Sequence, residues 1–186
     1  MAAFTNSAFA EKLGLGQPTT AEQLRGWDID VRGDGAGLPP GSGTAALGKA
    51  LFAERCMKCH SEGGQGGAVG PALKGGQGSL ATSAPLKTIG SYWPYAPTIF
   101  DYVRRSMPMG QAQSLTPDEA YALTAYLLYI NGIVGDLSFE ASPQTLPAVK
   151  MPNRDGFIMD DRESSEASFW TIKPCMAKCA PIAAKP

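Results

Sequence analysis

Two of the four cysteines and the only histidine of this 186-residue chain lie within five positions, in the segment CMKCH at residues 56–60. Two residues separate Cys56 from Cys59, and His60 follows directly. Either the three side chains share one bound group, or they form a chance cluster of buried thiols beside a histidine. A shared group would require the flanking segments to fold around it, so this motif constrains the architecture most.

Three chemistries use a CxxCH segment. In the first, the two thiols add to the vinyl groups of a haem, and the histidine becomes the proximal iron ligand. In the second, four thiolates hold a zinc ion, and the candidates are Cys56, Cys59, Cys175 and Cys179. In the third, the two cysteines form a redox-active pair on a thioredoxin-like fold.

The surrounding sequence favours haem over the alternatives. A thioredoxin-like fold requires a βαβ pattern, which the sequence lacks. A zinc site would leave His60 unused and would join cysteine pairs more than a hundred residues apart. The glycine-rich segment 63–70 lets the backbone approach a flat ligand closely. We therefore expect one haem c, bound covalently through Cys56 and Cys59, with a four-cysteine zinc protein as the alternative.

The sixth ligand of the iron must come from outside the motif. The chain has no second histidine, and the methionine thioether is the soft alternative. Among the seven methionines, Met107 and Met109 lie in a loop between two predicted helices, and Pro108 stiffens that loop. The residues alone leave both methionines open as ligands.

Three predicted helices surround the motif and indicate an all-α fold. The first covers residues 45–56, the second 96–107 and the third 116–131. The third begins with a capping box between Thr116 and Glu119. It is expected to bury one stripe of apolar side chains, made by Leu123, Tyr126, Leu127 and Ile130.

Glycine and proline, with 22 and 15 copies, divide the chain into a core and two long irregular arms. We expect residues 1–43 to form an N-terminal arm with one short helix, 44–132 the haem domain, and 133–186 an extended C-terminal arm. The last arm holds apolar residues such as Phe139 and Leu146, which a disordered tail would lack. We expect it to wrap either the core or a partner subunit.

Charge and hydropathy narrow the possible partners. A net charge of −1 gives no basis for nucleic-acid binding. No apolar run reaches the ~18 residues that a membrane-spanning helix needs, so we expect no membrane-spanning helix. The segment MAAFTNSAFAEKLG at the N-terminus lacks the basic and apolar regions of a signal peptide. That pattern is typical of a cytosolic protein or of a mature chain whose signal has been removed.

The order of these features resembles a class I cytochrome c. A helix, CMKCH, a glycine loop, GPAL, a helix, MP and a final helix follow one another within residues 44–132. The resemblance implies that Gly48 and Phe52 of the first helix cross the last helix near Tyr126. It also implies that the protein transfers electrons and does not itself catalyse the making or breaking of covalent bonds.

The same resemblance implies roles around the iron. Pro71 resembles the proline whose carbonyl accepts a hydrogen bond from the proximal imidazole, here His60, which would raise the basicity of that ring. The family's sixth ligand is the methionine directly before proline, which selects Met107 over Met109.

Two further groups are candidates near the haem. Trp93, in the aromatic segment SYWPY at 91–95, is predicted to line the haem, with core packing as the alternative. Arg104 and Arg105 are candidates for pairing with the propionates, with a solvated helix face as the commoner alternative.

Four longer segments are similar to the cytochrome subunit of Sox-type sulfane dehydrogenase and of related sulfite dehydrogenases. This resemblance implies a single-haem subunit that accepts electrons from a molybdenum-cofactor subunit oxidising sulfane sulfur or sulfite. The subunit would pass them to a downstream cytochrome or another acceptor. Many such subunits carry a second CxxCH, so one motif implies a single-haem member or a truncated form. A freely diffusing periplasmic carrier is the alternative. The segments are GLPPGSGTAALGKALF, TIGSYWPYAPTIFDYVRRSMP, SLTPDEAYALTAYLLYINGIV and MPNRDGF.

The resemblance also implies a periplasmic location, with the signal peptide removed. Free thiols rarely persist in such an oxidising compartment. On a helix, the Cα atoms of Cys175 and Cys179 would lie ~6 Å apart, within the range that a disulfide tolerates. We therefore expect a disulfide between these two cysteines.

Overall fold

The computed structural model describes residues 14–170 and shows a mainly helical protein. The pair Cys175 and Cys179 lies outside the described residues. The helices are α1 (Ala21–Arg25), α2 (Ala45–Arg55), α3 (Met57–His60), α4 (Ala96–Ser106), α5 (Pro117–Ile130), α6 (Arg162–Ser165) and α7 (Ala167–Trp170). Two short 3₁₀ turns cover Glu62–Gly64 and Leu146–Ala148.

One small element was not predicted from the sequence. Strands β1 (Gly43–Thr44) and β2 (Glu140–Ala141) pair antiparallel, with Gly43 opposite Ala141. Each strand has two residues, which is too short for the alternation by which a strand is recognised. The pair joins the two arms directly before helix α2 begins.

Helix α5 has the ends that the sequence predicts. The Thr116 side chain accepts a hydrogen bond from the Glu119 amide, and the Glu119 carboxylate accepts one from the Thr116 amide at 2.8 Å. At the other end, Gly132 has φ +67°, and the Ile133 amide donates to the Leu128 carbonyl at 3.0 Å. This C-terminal closure satisfies carbonyls that the helix leaves free. Both ends of α5 are therefore capped, which stabilises the helix against fraying.

The expected crossing of α2 and α5 is present. The two backbones approach so closely at Gly48 that an added Cβ would lie 1.9 Å from the Ala122 carbonyl oxygen. One turn later, the rings of Phe52 and Tyr126 lie 5.3 Å apart between centroids. The crossing places the end of α2, and therefore the CMKCH segment, beside the C-terminal half of α5.

Helix α5 is buried on more sides than the predicted stripe. Every residue from Ala120 to Leu128 is buried, whereas Ile130 is only half-buried. The fully buried Tyr121 donates a hydrogen bond from its hydroxyl to the Pro39 carbonyl at 2.7 Å. The prediction of a single stripe was too narrow because the arms cover the other face of the helix.

In the described part of the chain, both arms pack on the helical core in the stretches nearest to it, 31–43 and 133–153. In the C-terminal arm, Leu146 and Met151 are buried in the main apolar core. The Asn153 side chain donates to the Tyr92 carbonyl at 2.7 Å. The arms also touch each other, since a Cβ added at Gly35 would lie 2.5 Å from the Pro147 ring. The division of the chain at residues 44 and 132 stays a prediction.

Candidate functional site

The CMKCH segment forms its own helical turn after α2 ends. The Cys56 amide donates to the Phe52 carbonyl at 2.9 Å, which closes α2. The Cys56 carbonyl then accepts from the amides of Cys59 at 3.1 Å and His60 at 3.0 Å. Both cysteines are half-buried, and neither forms a disulfide. Cys56 and the short turn α3 that follows it therefore carry the two thiols and the imidazole.

The hydrogen bond expected between His60 and Pro71 is present. The Nδ1 atom of His60 lies 2.8 Å from the Pro71 carbonyl oxygen. Since a carbonyl oxygen can only accept, Nδ1 carries a proton, and the neutral form of the ring has its lone pair on Nε2. The hydrogen bonds found among residues 14–170 include none to Nε2. The ring is thus oriented as a metal-ligating histidine is, with its second nitrogen held by a backbone acceptor.

Glycine lets the loop after the motif fold back against this imidazole. The Gly70 amide donates to the Cys59 carbonyl at 3.1 Å. A Cβ added at Gly70 would lie 2.9 Å from His60 Nδ1 and 3.0 Å from its Cε1. The Gly66 amide also donates to the His60 carbonyl, at 2.8 Å. The loop therefore holds the ring between backbone segments, as the glycine-rich sequence predicts.

The structure distinguishes the two candidate methionines by their exposure. Met107 is half-buried at the end of α4, and its amide donates to the Val103 carbonyl at 3.0 Å. Met109 is 83% exposed. A thioether ligand has to sit against the protein interior, so this difference favours Met107. Its role as the iron ligand stays a prediction.

The remaining sequence candidates lie on or near α4. Trp93 is half-buried, packs against the core and meets Tyr102 edge-on, with ring centroids 5.7 Å apart. Arg105 forms ion pairs with Asp101 and Asp30, at 2.6 and 2.7 Å. Its guanidinium is therefore already paired with two carboxylates. Contact of Trp93 with haem stays a prediction.

Asn131 is a functional candidate that the sequence reasoning missed. It is 8% exposed, and its side-chain amide donates to the carbonyls of Leu73 at 3.0 Å and Leu127 at 2.9 Å. Its side-chain oxygen accepts from the Gly75 amide at 3.2 Å. Asn131 thus ties the loop after the motif to the end of α5. The available signal was a polar amide directly after a strongly apolar helix.

The donor set fits haem c. It comprises two thiols in one turn, an imidazole with a free Nε2, and a half-buried thioether, and these are the groups that attach and ligate such a haem. Burial raises the pKa of the Cys56 thiol to about 11, so the free thiol is neutral at neutral pH. Residues 14–170 contain no cluster of three or more His, Cys, Asp or Glu side chains arranged to hold a metal.

Comparison with known proteins places the chain in a family. Residues 45–131 match the family described as cytochrome c. A chain in the crystal structure of the sulfane dehydrogenase SoxCD from Paracoccus pantotrophus is 47% identical, with a TM-score of 0.78. The alignment covers 94% of this chain and 85% of that chain. This chain belongs to the cytochrome c family. Its cofactor is covalently bound haem c, and its role is electron transfer.

A curated relative matches the cytochrome over a shorter region. It is the thiosulfate dehydrogenase of Stutzerimonas stutzeri (strain A1501), 33% identical over 94 residues. The alignment covers 48% of the cytochrome but only 28% of that enzyme. It therefore supports the cytochrome domain rather than the activity of the whole enzyme. Within the described part of the chain, no helix has both the length and the hydropathy to cross a membrane.

Proposed function

We propose that this cytochrome is the electron-transfer subunit of a periplasmic dehydrogenase whose molybdenum-cofactor subunit oxidises a sulfur compound. The observation that carries the proposal is the extent of the similarity to the SoxCD chain. The cytochrome c family matches residues 45–131 only, whereas the SoxCD similarity covers 94% of the chain at 47% identity. The similarity therefore includes the arms, which a simple carrier does not need.

The chain's own residues would hold and tune the haem. Cys56 and Cys59 would attach it covalently, and His60 and Met107 would ligate the iron. When bound, the haem iron accepts and releases one electron at a time. The hydrogen bond from His60 to Pro71 makes the imidazole a stronger donor, which favours the oxidised state. The thioether of Met107 acts in the opposite sense and raises the potential.

Exposed apolar side chains support a role for the arms in docking. Two segments carry large apolar residues that remain accessible, 15–27 and 157–170. The larger apolar residues of the arms between these two segments are buried or half-buried against the core. Clusters of exposed apolar residues commonly mark protein interaction sites. We propose that these segments contact the molybdenum subunit, and the residues concerned are Leu15, Leu24, Trp27, Phe157, Ile158, Met159, Phe169 and Trp170.

The choice of sulfur substrate would lie outside this chain. The proteins to which this chain is similar include a sulfane dehydrogenase and a thiosulfate dehydrogenase. In the proposed arrangement, the molybdenum subunit binds and oxidises the sulfur compound. The cytochrome receives the electrons singly and passes them to a downstream cytochrome or another soluble acceptor.

Metal analysis of the natively isolated complex tests this function. The complex would be purified through a tag on this chain from its own host, and its metals quantified by mass spectrometry. Equal amounts of iron and molybdenum are expected. Iron without molybdenum would indicate a free carrier, and zinc without iron would overturn the haem assignment.

A variant in the C-terminal arm tests whether that arm contributes to binding of the molybdenum subunit. Replacing Phe169 and Trp170 by serine should lower the molybdenum recovered while leaving the iron content unchanged. The haem site lies in residues 56–107, outside the substituted segment. Unchanged molybdenum in this variant would mean that the end of segment 157–170 does not contribute to docking.

A further inference from the structure

We propose that the N-terminal arm positions the sixth ligand, Met107, by clamping the last turn of α4 through Arg105. The inference rests on the proposed function, because it takes Met107 as the iron ligand. It assigns Arg105, Asp101 and Asp30 as positioning residues for that methionine. The arm lies outside residues 45–131, the region shared with the cytochrome c family.

Arg105 connects the helix to the arm through two carboxylates. Its Nη2 lies 2.7 Å from Asp30 Oδ1 and 2.6 Å from Asp101 Oδ1, and its Nε donates to Asp101 Oδ2 at 3.2 Å. Asp101 Oδ1 also accepts from the Val31 amide at 3.0 Å. Val31 is 6% exposed, so the next residue of the arm is anchored in the core. The arm thus holds α4 through the ion pair between Asp30 and Arg105 and through the hydrogen bond from the Val31 amide to the Asp101 carboxylate.

The clamped turn of α4 forms the base of the methionine loop. The Val103 carbonyl accepts from the Met107 amide at 3.0 Å, and the Arg104 carbonyl accepts from the Gln113 amide at 3.2 Å. Both ends of the segment 107–113 are therefore tied to consecutive residues of this turn. Helix ends fray readily unless they are held. Fraying of this turn would break both bonds and release Met107 from a fixed position.

The exposure of the three side chains sets the expected size of the effect. Asp30 is 77% exposed, whereas Arg105 and Asp101 are 34% and 22% exposed. An exposed ion pair changes an equilibrium by about two- to fivefold. A forked bond between Arg105 and a partly buried carboxylate is stronger. Loss of Asp30 should therefore loosen Met107 modestly, and loss of Arg105 should loosen it more.

Competition with added imidazole measures how firmly Met107 is held. Imidazole displaces the thioether from the oxidised haem, so its apparent affinity rises with the fraction of molecules in which Met107 is detached. The long-wavelength absorption band of the methionine–iron pair reports the displacement. We expect imidazole to bind about two- to fivefold more tightly to the haem-loaded Asp30→Asn variant, and still more tightly to Arg105→Gln.

Two further variants separate positioning from general stability. Arg25 forms a 3.5 Å ion pair with Glu22 in the same arm, and Arg25→Gln should leave the imidazole affinity within twofold of wild type. Arg105→Lys keeps the charge, so its imidazole affinity should lie between those of wild type and Arg105→Gln. Should Arg105→Gln fail to fold, the exposed position of Asp30 keeps the Asp30→Asn comparison decisive.

The outcomes distinguish this inference from the proposed function. Wild-type imidazole affinity in Asp30→Asn and in any Arg105 variant that folds would overturn the positioning role. Equal tightening in Arg25→Gln would also overturn it. A Met107→Ala protein that retains the methionine–iron band would show instead that the ligand itself was misassigned, with the arm intact. Loss of that band in Met107→Ala, with the graded affinities above, would support the clamp.

Discussion

The imidazole of His60 donates a hydrogen bond from Nδ1 to the carbonyl oxygen of Pro71, across 2.8 Å. The acceptor belongs to the backbone, so substitution of the proline side chain leaves it in place. The loop that presents it is held instead by close glycine contacts, above all at Gly70, where an added Cβ would lie 2.9 Å from both Nδ1 and the Cys59 carbonyl oxygen. Gly70 is therefore the position from which this bond can be perturbed.

Gly70→Ala should raise the midpoint potential of the haem. The added methyl group pushes the loop from the ring and weakens the hydrogen bond, so the imidazole becomes a poorer donor and stabilises the oxidised state less. The shift should reach at most about 60 mV, the one-electron equivalent of ~1.4 kcal/mol. Gly67→Ala is the control, because its only contact below 3.0 Å is the rotatable Ser61 hydroxyl. Redox titration giving equal shifts in the two variants would contradict this expectation.

Met107→Ala should abolish the methionine–iron absorption band, whereas Met109→Ala should retain it. The physical reason is burial, since Met107 is half-buried and Met109 is 83% exposed. Loss of a thioether ligand should also lower the midpoint potential, because the thioether favours reduced iron. Visible spectra of the two purified oxidised proteins make the comparison. Loss of the band in Met109→Ala alone would reverse the assignment.

Gly48→Ala should destabilise the protein by about 3 kcal/mol or more, since a methyl group there overlaps backbone that cannot move aside. The nearest atom is the Ala122 carbonyl oxygen, 1.9 Å from the added Cβ. Gly26→Ala is a matched control, because an added Cβ there meets nothing within 4 Å. Its effect should stay within ~0.5 kcal/mol. Urea denaturation of both haem-loaded variants checks the prediction, and similar midpoints would refute it.

Glu119 should contribute stability that depends on pH. The Thr116 backbone amide, followed by the Thr116 hydroxyl and Arg55, holds the pKa of Glu119 below its usual value of 4.5. Because the pKa is lower in the folded state, the extra stability is present above pH 4.5 and disappears as the pH falls through the lowered value. Wild type should exceed Glu119→Gln in unfolding free energy by about 0.5–1 kcal/mol near neutral pH.

The pH series for Glu119 has a built-in comparison. The difference from Glu119→Gln should vanish in acid, because the amide matches the neutral carboxyl group that remains in the cap. Glu119→Ala removes the cap acceptor altogether, so its deficit should persist at every pH. A deficit of Glu119→Gln that does not change with pH would show that charge plays no part.

The features predicted correctly depend on short stretches of sequence. The ends of α5 follow from Thr116, Glu119 and Gly132, each of which acts within four residues of its own position. The cofactor follows from the five residues of CMKCH. The hydrogen bond to Pro71 came from the resemblance to class I cytochromes c, since a separation of 11 residues leaves no local signal.

The features that escaped prediction depend on contacts between distant residues. Arg105 pairs with Asp30 across 75 positions, and Tyr121 bonds to Pro39 across 82. The periodicity of apolar residues within a helix gives no information about contacts with a distant segment. The burial of the second face of α5 by the arms was therefore not predicted. The role of Asn131 was missed for the same reason, because its bond to Leu73 spans 58 positions. The arms thus determine much of the packing while leaving little pattern in the sequence.

The most direct measurement is the absorption spectrum of the natively purified complex, recorded anaerobically before and after adding the sulfur substrate. If electrons from the molybdenum subunit enter this chain, the haem should change from its oxidised to its reduced spectrum with no other reductant present. A haem that stays oxidised with substrate, yet is fully reduced by a chemical reductant, would show that this cytochrome does not receive those electrons.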